Sequence, residues 1–155
     1  MAQRNIILSD NELLRKTSKV VTEFNERLWQ LLDDMRDTMI KGDGVGLAAP
    51  QVGVLKRVVV VDVNGMYLEL INPEIVASSG NQCKVEGCLS VKGVSGYVDR
   101  PLNVSVKAMD RYGKPFMISG TDLLAQCLCH EIDHLNGVLF IDKMKEEYKP
   151  KNKSK

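Results

Sequence analysis

The chain has 155 residues, 44% hydrophobic and 26% charged, enough apolar material for one globular domain with a buried core. Its formal net charge of +1 excludes the bulk electrostatics of a polyanion binder, so no sequence-specific nucleic-acid partner is expected and charge matters only locally. The opening MAQRNIILSDNELLRK holds one three-residue apolar run, and no later stretch approaches the roughly 20 apolar residues that span a bilayer. The expectation is therefore a cytoplasmic chain without a membrane partner, its four cysteines reduced and serving as core residues or metal ligands.

From Thr22 to Lys41, Phe24, Leu28, Leu31, Leu32, Met35 and Met39 recur at three- and four-residue steps, with acidic residues on the opposite face. This spacing predicts an amphipathic helix, with Thr22 as its N-cap and Gly42 at its end. GDGVGLAAPQVG, residues 42–53, is too rich in glycine for regular helix and reads as a shaped loop. Arg57 to Val63 and Tyr67 to Asn72 are strand-like runs joined through Asn64-Gly65, a hairpin turn dipeptide. Residues 73–100 contain short apolar pieces broken by Ser, Gly and Asn, and yield no assignment. Alternation from Leu102 to Ala108, the turn sequence RYGK and the run Pro115 to Ser119 predict a second hairpin.

Thr121 to Leu135 carries apolar residues all round, which predicts a centrally buried helix that ends before Gly137. From Lys149 onward the sequence KPKNKSK is too polar to pack, leaving residues 1–148 as the expected catalytic domain and 149–155 as a disordered tail.

Only two histidines occur, both in HEIDH, residues 130–134. Four residues apart on a helix, His130 and His134 project from one face about one turn apart and can reach a single ion. Glu131 lies beside the first of them, placed to take a proton from attacking water without binding the metal. A catalytic site of this kind needs a third protein ligand and one open position. Phe140 stands where the extended metalloprotease pattern would have its third histidine. Cys127 lies about 10 Å along the helix axis from His134. Cys129 is rotated about 100° from His130, and Cys83 has no supporting neighbours. Cys88 remains, next to Gly87, whose missing side chain permits close approach of a metal or substrate.

Three separated segments, Gly44-Val45-Gly46-Leu47-Ala48-Ala49-Pro50-Gln51, Glu86-Gly87-Cys88-Leu89-Ser90 and His130-Glu131-Ile132-Asp133-His134, stand in the order in which peptide deformylases carry their motifs, and the chain closely resembles that family. Departures from the common pattern are Asn11, Lys92 and Cys129, none of which removes a ligand or the base. The resemblance implies an α+β fold, with antiparallel hairpins packed around a C-terminal helix that carries HEIDH. It further implies that Cys88, His130 and His134 bind one divalent metal, iron(II) by family habit, although the donor set suits zinc, nickel or cobalt as well. Gln51 and the Leu89 amide would bind the formyl oxygen, and Glu131 would move the proton, releasing formate from N-formyl-methionyl nascent peptides in a bacterial cytoplasm or a comparable organelle.

Gly44, Val45 and Gly46 are then expected to pair their backbone with an extended peptide. Leu123 and Cys127 face the right way to line a methionine pocket, and ordinary core packing explains them equally well. Asp133 reads as a structural or supporting carboxylate. The lysine-rich tail is either solvated or a weak contact to ribosomal RNA. Two rival functions are a metallopeptidase that cuts internal bonds and a silent protein that only binds peptide termini; retention of Glu131 argues against the second.

Overall fold

The computed structural model describes residues 3–149. After a 3-10 turn at Glu12–Arg15 come helix α1 (Glu26–Lys41), strand β1 (Gly46–Ala48) and a second 3-10 turn at Ala49–Val52. Six strands follow: β2 (Val58–Val63), β3 (Met66–Ser79), β4 (Gln82–Cys88), β5 (Val91–Arg100), β6 (Asn103–Met109) and β7 (Pro115–Thr121). Helix α2 (Leu123–Leu135), the short α3 (Phe140–Lys143) and strand β8 (Met144–Glu147) complete the described chain.

The α+β expectation holds. Five antiparallel strands form one sheet in the order β1-β2-β3-β6-β7, and three form a second in the order β4-β5-β8. The larger sheet lies between two helices. Leu124, Leu128, Ile132 and Leu135 of α2 pack against Val59, Val61, Leu70 and Val106. On the other face Leu28, Leu32, Met35 and Met39 of α1 pack against Val58, Val60 and Ile71. This explains why the VVVV run of β2 is fully buried without alternation: each face of the strand meets a helix. Complete burial of one such valine contributes about 1.5 kcal/mol or more.

Several boundaries differ from the sequence expectations. Helix α1 starts at Glu26, not near Thr22, because the Asn25 side chain accepts the Leu28 N–H 3.3 Å away and caps it there. The glycine-rich segment contains β1 and a 3-10 turn, since pairing of Gly46, Leu47 and Ala48 with Val61, Val60 and Val59 supplies the strand hydrogen bonds that its own propensity does not favour. Thr121 ends β7, and Asp122, at φ 54°, turns the chain into α2 two residues later than expected.

The unassigned stretch is strand throughout most of its length. β3 continues past Pro73 by shifting register between Ile71 and Glu74, a bulge that accommodates a residue with no N–H. β4 and β5 are joined by the two-residue turn Leu89-Ser90. At the C-terminal end Lys149 is exposed, and the rest of the predicted tail, 150–155, lies outside the described residues. No helix among the described residues is long and apolar enough to cross a membrane.

Candidate metal centre

The site forms where α2 passes beneath the facing edges of the two sheets. β1 and β4 are each the terminal strand of a sheet. Between them runs a cleft of about 380 Å³, bounded by Gly44, Val45 and Gly46 on one side and by Val85, Gly87 and Leu89 on the other. Gln51, Cys88, His130 and Glu131 line its floor.

Cys88, at the end of β4, brings its Sγ to 3.4 Å from His134 Nε2. The ligating atoms of Cys88, His130 and His134 all lie within 4.8 Å of one another, so one ion fits among a thiolate and two imidazoles, a donor set suited to a divalent transition metal. The other cysteines do not join them. Cys127 directs its Sγ toward the Val45 carbonyl oxygen 3.6 Å away, Cys129 packs in the core beneath the larger sheet, and Cys83 is exposed.

Both histidines are buried, with different surroundings. His130 Nδ1 lies 2.9 Å from Glu86 Oε1, which fixes the ring with Nε2 toward the cleft. Burial opposes a charge on His130, but Glu131, Cys88 and Glu86 outweigh it and raise the metal-free imidazole to about 10. Burial drives His134 well below 6.5, aided by the charges of His130 and Arg100; its buried Nδ1 has no hydrogen-bond partner among the described residues. Phe140, in place of a third histidine, stacks on the His130 ring with centroids 6.1 Å apart.

Glu86 is itself gripped. Arg100 donates from Nε and Nη2 to its two oxygens at 2.8 and 2.9 Å, and from Nη1 to Asp133 at 2.7 Å. Burial works against the Glu86 charge, yet Arg100 and His130 prevail and hold the carboxyl down at about 2. Asp133 also meets Lys143 Nζ at 3.0 Å. Arg100 is missed by the sequence reading because it lies in the unassigned region, and nothing in its local pattern marks it. Glu86 stands inside the second motif, the only signal that points to it.

Glu131 is buried beside the donors, with one oxygen 4.0 Å from His130 Nε2 and the other without a partner among the described residues. Burial raises its carboxyl to about 7, against the pull of His130. Gln51 is buried too. Its Oε1 accepts the Ala48 N–H at 3.0 Å, which turns Nε2 toward Ser90 Oγ at 3.1 Å and Cys88 Sγ at 3.5 Å. Leu89 occupies the adjacent turn, and its side chain is so close to the glycine loop that a Cβ on Gly44 would lie 3.0 Å from it. Gly46 has even less room: a Cβ there would come within 2.6 Å of Glu131 Oε2. Leu123 and Cys127 both line the cleft, Leu123 half-open to solvent and Cys127 buried.

The polypeptide deformylase family model matches residues 3–150, nearly the whole chain. The chain belongs to the polypeptide deformylase family. A peptide deformylase of Alkaliphilus metalliredigens is 57% identical over 147 residues, covering 95% of this chain and all of the relative. A crystal structure of a peptide deformylase from Legionella pneumophila superposes with a TM-score of 0.90 at 51% identity, covering 93% of this chain and 87% of that one. The peptide deformylase of Synechococcus elongatus, solved in complex with actinonin, gives a TM-score of 0.89 at 41% identity and covers 92% and 79%. Membership agrees with the sequence resemblance and disfavours both rivals, the internal peptidase and the silent terminus binder.

Proposed function

We propose that the chain hydrolyses the N-formyl group of peptides that begin with N-formyl-methionine, releasing formate and a free amino terminus. The observation that carries this is the convergence of Cys88, His130 and His134 beside a buried Glu131, beneath the free edges of β1 and β4. Those three residues would hold one divalent ion, which supplies Lewis-acid polarisation and acidifies water. Iron(II) is the native metal in this reading, with zinc, nickel and cobalt able to occupy the same donors.

The remaining chemistry falls to side chains of the chain itself. Glu131, held near neutrality by burial, accepts a proton from the attacking water and then delivers it to the leaving nitrogen. Gln51 Nε2, 3.5 Å from Cys88 Sγ, and the N–H of Leu89, next in the chain after Cys88, would donate to the oxygen on which negative charge develops. Losing one such donor typically costs about 10²–10³ in rate. An extended peptide entering between β1 and β4 pairs its backbone with Gly44, Val45 and Gly46, while Leu123 and Cys127 receive the methionine side chain.

In this reading residues 1–148 are the catalytic unit, working in the cytoplasm. The test is anaerobic purification followed by metal analysis and a formate-release assay on formyl-Met-Ala, using one sample. Formate release in proportion to bound metal is expected. A metal-loaded sample that cuts internal bonds, or releases no formate, overturns the proposal.

A further inference from the structure

The two sheets that bound the cleft share no strand pairing among the described residues, so contacts outside the ladders set its width. Gln51 belongs to the 3-10 turn that follows β1 of the larger sheet, and Ser90 to the turn between β4 and β5 of the smaller one. Their side chains meet, with Gln51 Nε2 donating to Ser90 Oγ at 3.1 Å. One bond between side-chain ends leaves the backbones behind it free to drift. The segment ahead of the first 3-10 turn removes that freedom: the Ile7 N–H donates to Gln51 O at 2.7 Å, and the Ser9 N–H donates to Ser90 O at 2.8 Å.

In an extended segment, N–H groups two residues apart lie on the same side, roughly 7 Å from each other. Residues 7–9 thus form a splint with two donors, one for a carbonyl attached to each sheet. Leu8, between them, is exposed. The splint is itself held down. Ile6 packs in the α1 cluster together with Leu89, and Ile7 packs with Cys88, Val91 and Phe140. Upstream, Arg4 places Nε and Nη2 2.9 Å from Asp34 Oδ2, and its N–H donates to Thr38 Oγ1 at 2.8 Å. Beyond the splint the Asn11 N–H donates to Leu8 O at 2.9 Å, which makes Ser9 the second residue of a β-turn.

The geometry points to a positioning role for this segment: through their backbone N–H groups, Ile7 and Ser9 fix the separation between Gln51 Nε2 and the Leu89 N–H, the two groups that would donate to the developing oxyanion. Gln51 O is the anchor of the backbone from which Nε2 extends, and Ser90 O anchors the turn that contains Leu89. Oxyanion donors are effective within a narrow range of about 2.7–3.1 Å. A small drift between the two turns therefore takes one donor out of reach of an oxygen that the other holds. The substrate backbone would pair with Gly44, Val45 and Gly46, so a loosened splint lowers kcat and leaves KM in place.

This inference rests on the deformylase reading, and one experiment separates the two. Ser9→Pro deletes one of the two donors at a turn position where the fixed φ of proline is favoured, whereas Ser9→Ala keeps the N–H. Both are made in the parent chain and in Gln51→Ala, loaded with metal and assayed for formate release on formyl-Met-Ala, with metal content and a circular-dichroism melt taken on the same samples. Ser9→Pro should lower kcat about 10- to 100-fold with metal content unchanged and KM within about twofold. Ser9→Ala should retain the parent kcat. In the Gln51→Ala chain Ser9→Pro should cost less than about threefold, because the separation of two donors loses its meaning once one is gone. Amide hydrogen exchange in the unaltered chain supplies a second measurement if Ser9→Pro folds poorly: the Ile7 and Ser9 N–H groups should exchange at least about 100-fold more slowly than free amides. An unchanged kcat in Ser9→Pro, a loss carried in full into Gln51→Ala, a loss that tracks departed metal, or free exchange at both amides overturns the splint while the deformylase reading stands. Absence of formate release from the metal-loaded parent overturns both.

Discussion

The Nδ1 of His130 and the Oε1 of Glu86 lie 2.9 Å apart, a contact that joins the helix bearing two candidate ligands to the strand bearing the third. A carboxylate in this position sets the tautomer and orientation of the ring, and such partners typically account for 10- to 100-fold in metal affinity or activity. Glu86→Gln should therefore weaken metal binding by about that factor, measured by competition with a chromogenic chelator. Unchanged affinity would show that His130 is oriented by other contacts.

The same pair predicts a pH response. The Glu86 carboxyl is depressed from 4.5 to about 2, so its contribution to stability is present above pH 4.5 and is lost as pH falls toward 2. Thermal melts of the metal-free chain should show a drop across this window, and Glu86→Gln should flatten that part of the profile.

Raised protonation of His130 has the opposite sign. Its metal-free imidazole is lifted from 6.5 to about 10, so it carries a proton throughout the neutral range. A metal must displace that proton. Metal affinity should therefore rise with pH up to about 10, and calorimetry in two buffers of different ionisation enthalpy should detect proton release on binding at pH 7.5. Identical heats in the two buffers would contradict the assignment.

Glu131→Gln should keep its metal and lose turnover, with a fall in kcat of about 10²–10⁴ if Glu131 carries the proton. Metal content and formate release, determined on the same preparation, check both halves of this statement. Comparable activity in the variant would remove Glu131 from the reaction.

Gly46→Ala tests the fit between β1 and α2. The added carbon would meet Glu131 Oε2 at 2.6 Å and Cys127 Sγ at 2.9 Å, so these buried side chains must shift to admit it. Overpacking of this kind costs about 1–3 kcal/mol in stability. Displacement of Glu131 by as little as an ångström should lower kcat/KM about 100-fold. A circular-dichroism melt and the formate assay measure the two effects separately.

What the sequence made legible was local chemistry. HEIDH announces itself because two histidines four apart on a helix can share an ion, and Cys88 follows from the poor placement of the other cysteines. Long-range pairing was hidden. β1 lies in a glycine-rich segment with weak strand propensity, and only the complementary edge of β2 makes it a strand. β4 and β5 carry Gly87, Gly93 and Gly96, which interrupt the alternation that would reveal them; Gly96 is needed because Met144 packs directly over it. Arg100 lies 33 residues before its partner Asp133, a distance at which no periodicity operates. Cap choice failed for a smaller reason: Thr22 and Asn25 both suit a helix start, and the capping bond to Leu28 decides for Asn25.

Arg100 ties Glu86 on β4 to Asp133 on α2 through protein atoms alone. The candidate cage of Cys88, His130 and His134 is thus braced from behind, by contacts that need no ion. A scaffold of this sort gives up little when its occupant leaves and holds its shape for the next. If Cys88, His130 and His134 hold the ion, one divalent metal should exchange for another without any refolding of the chain.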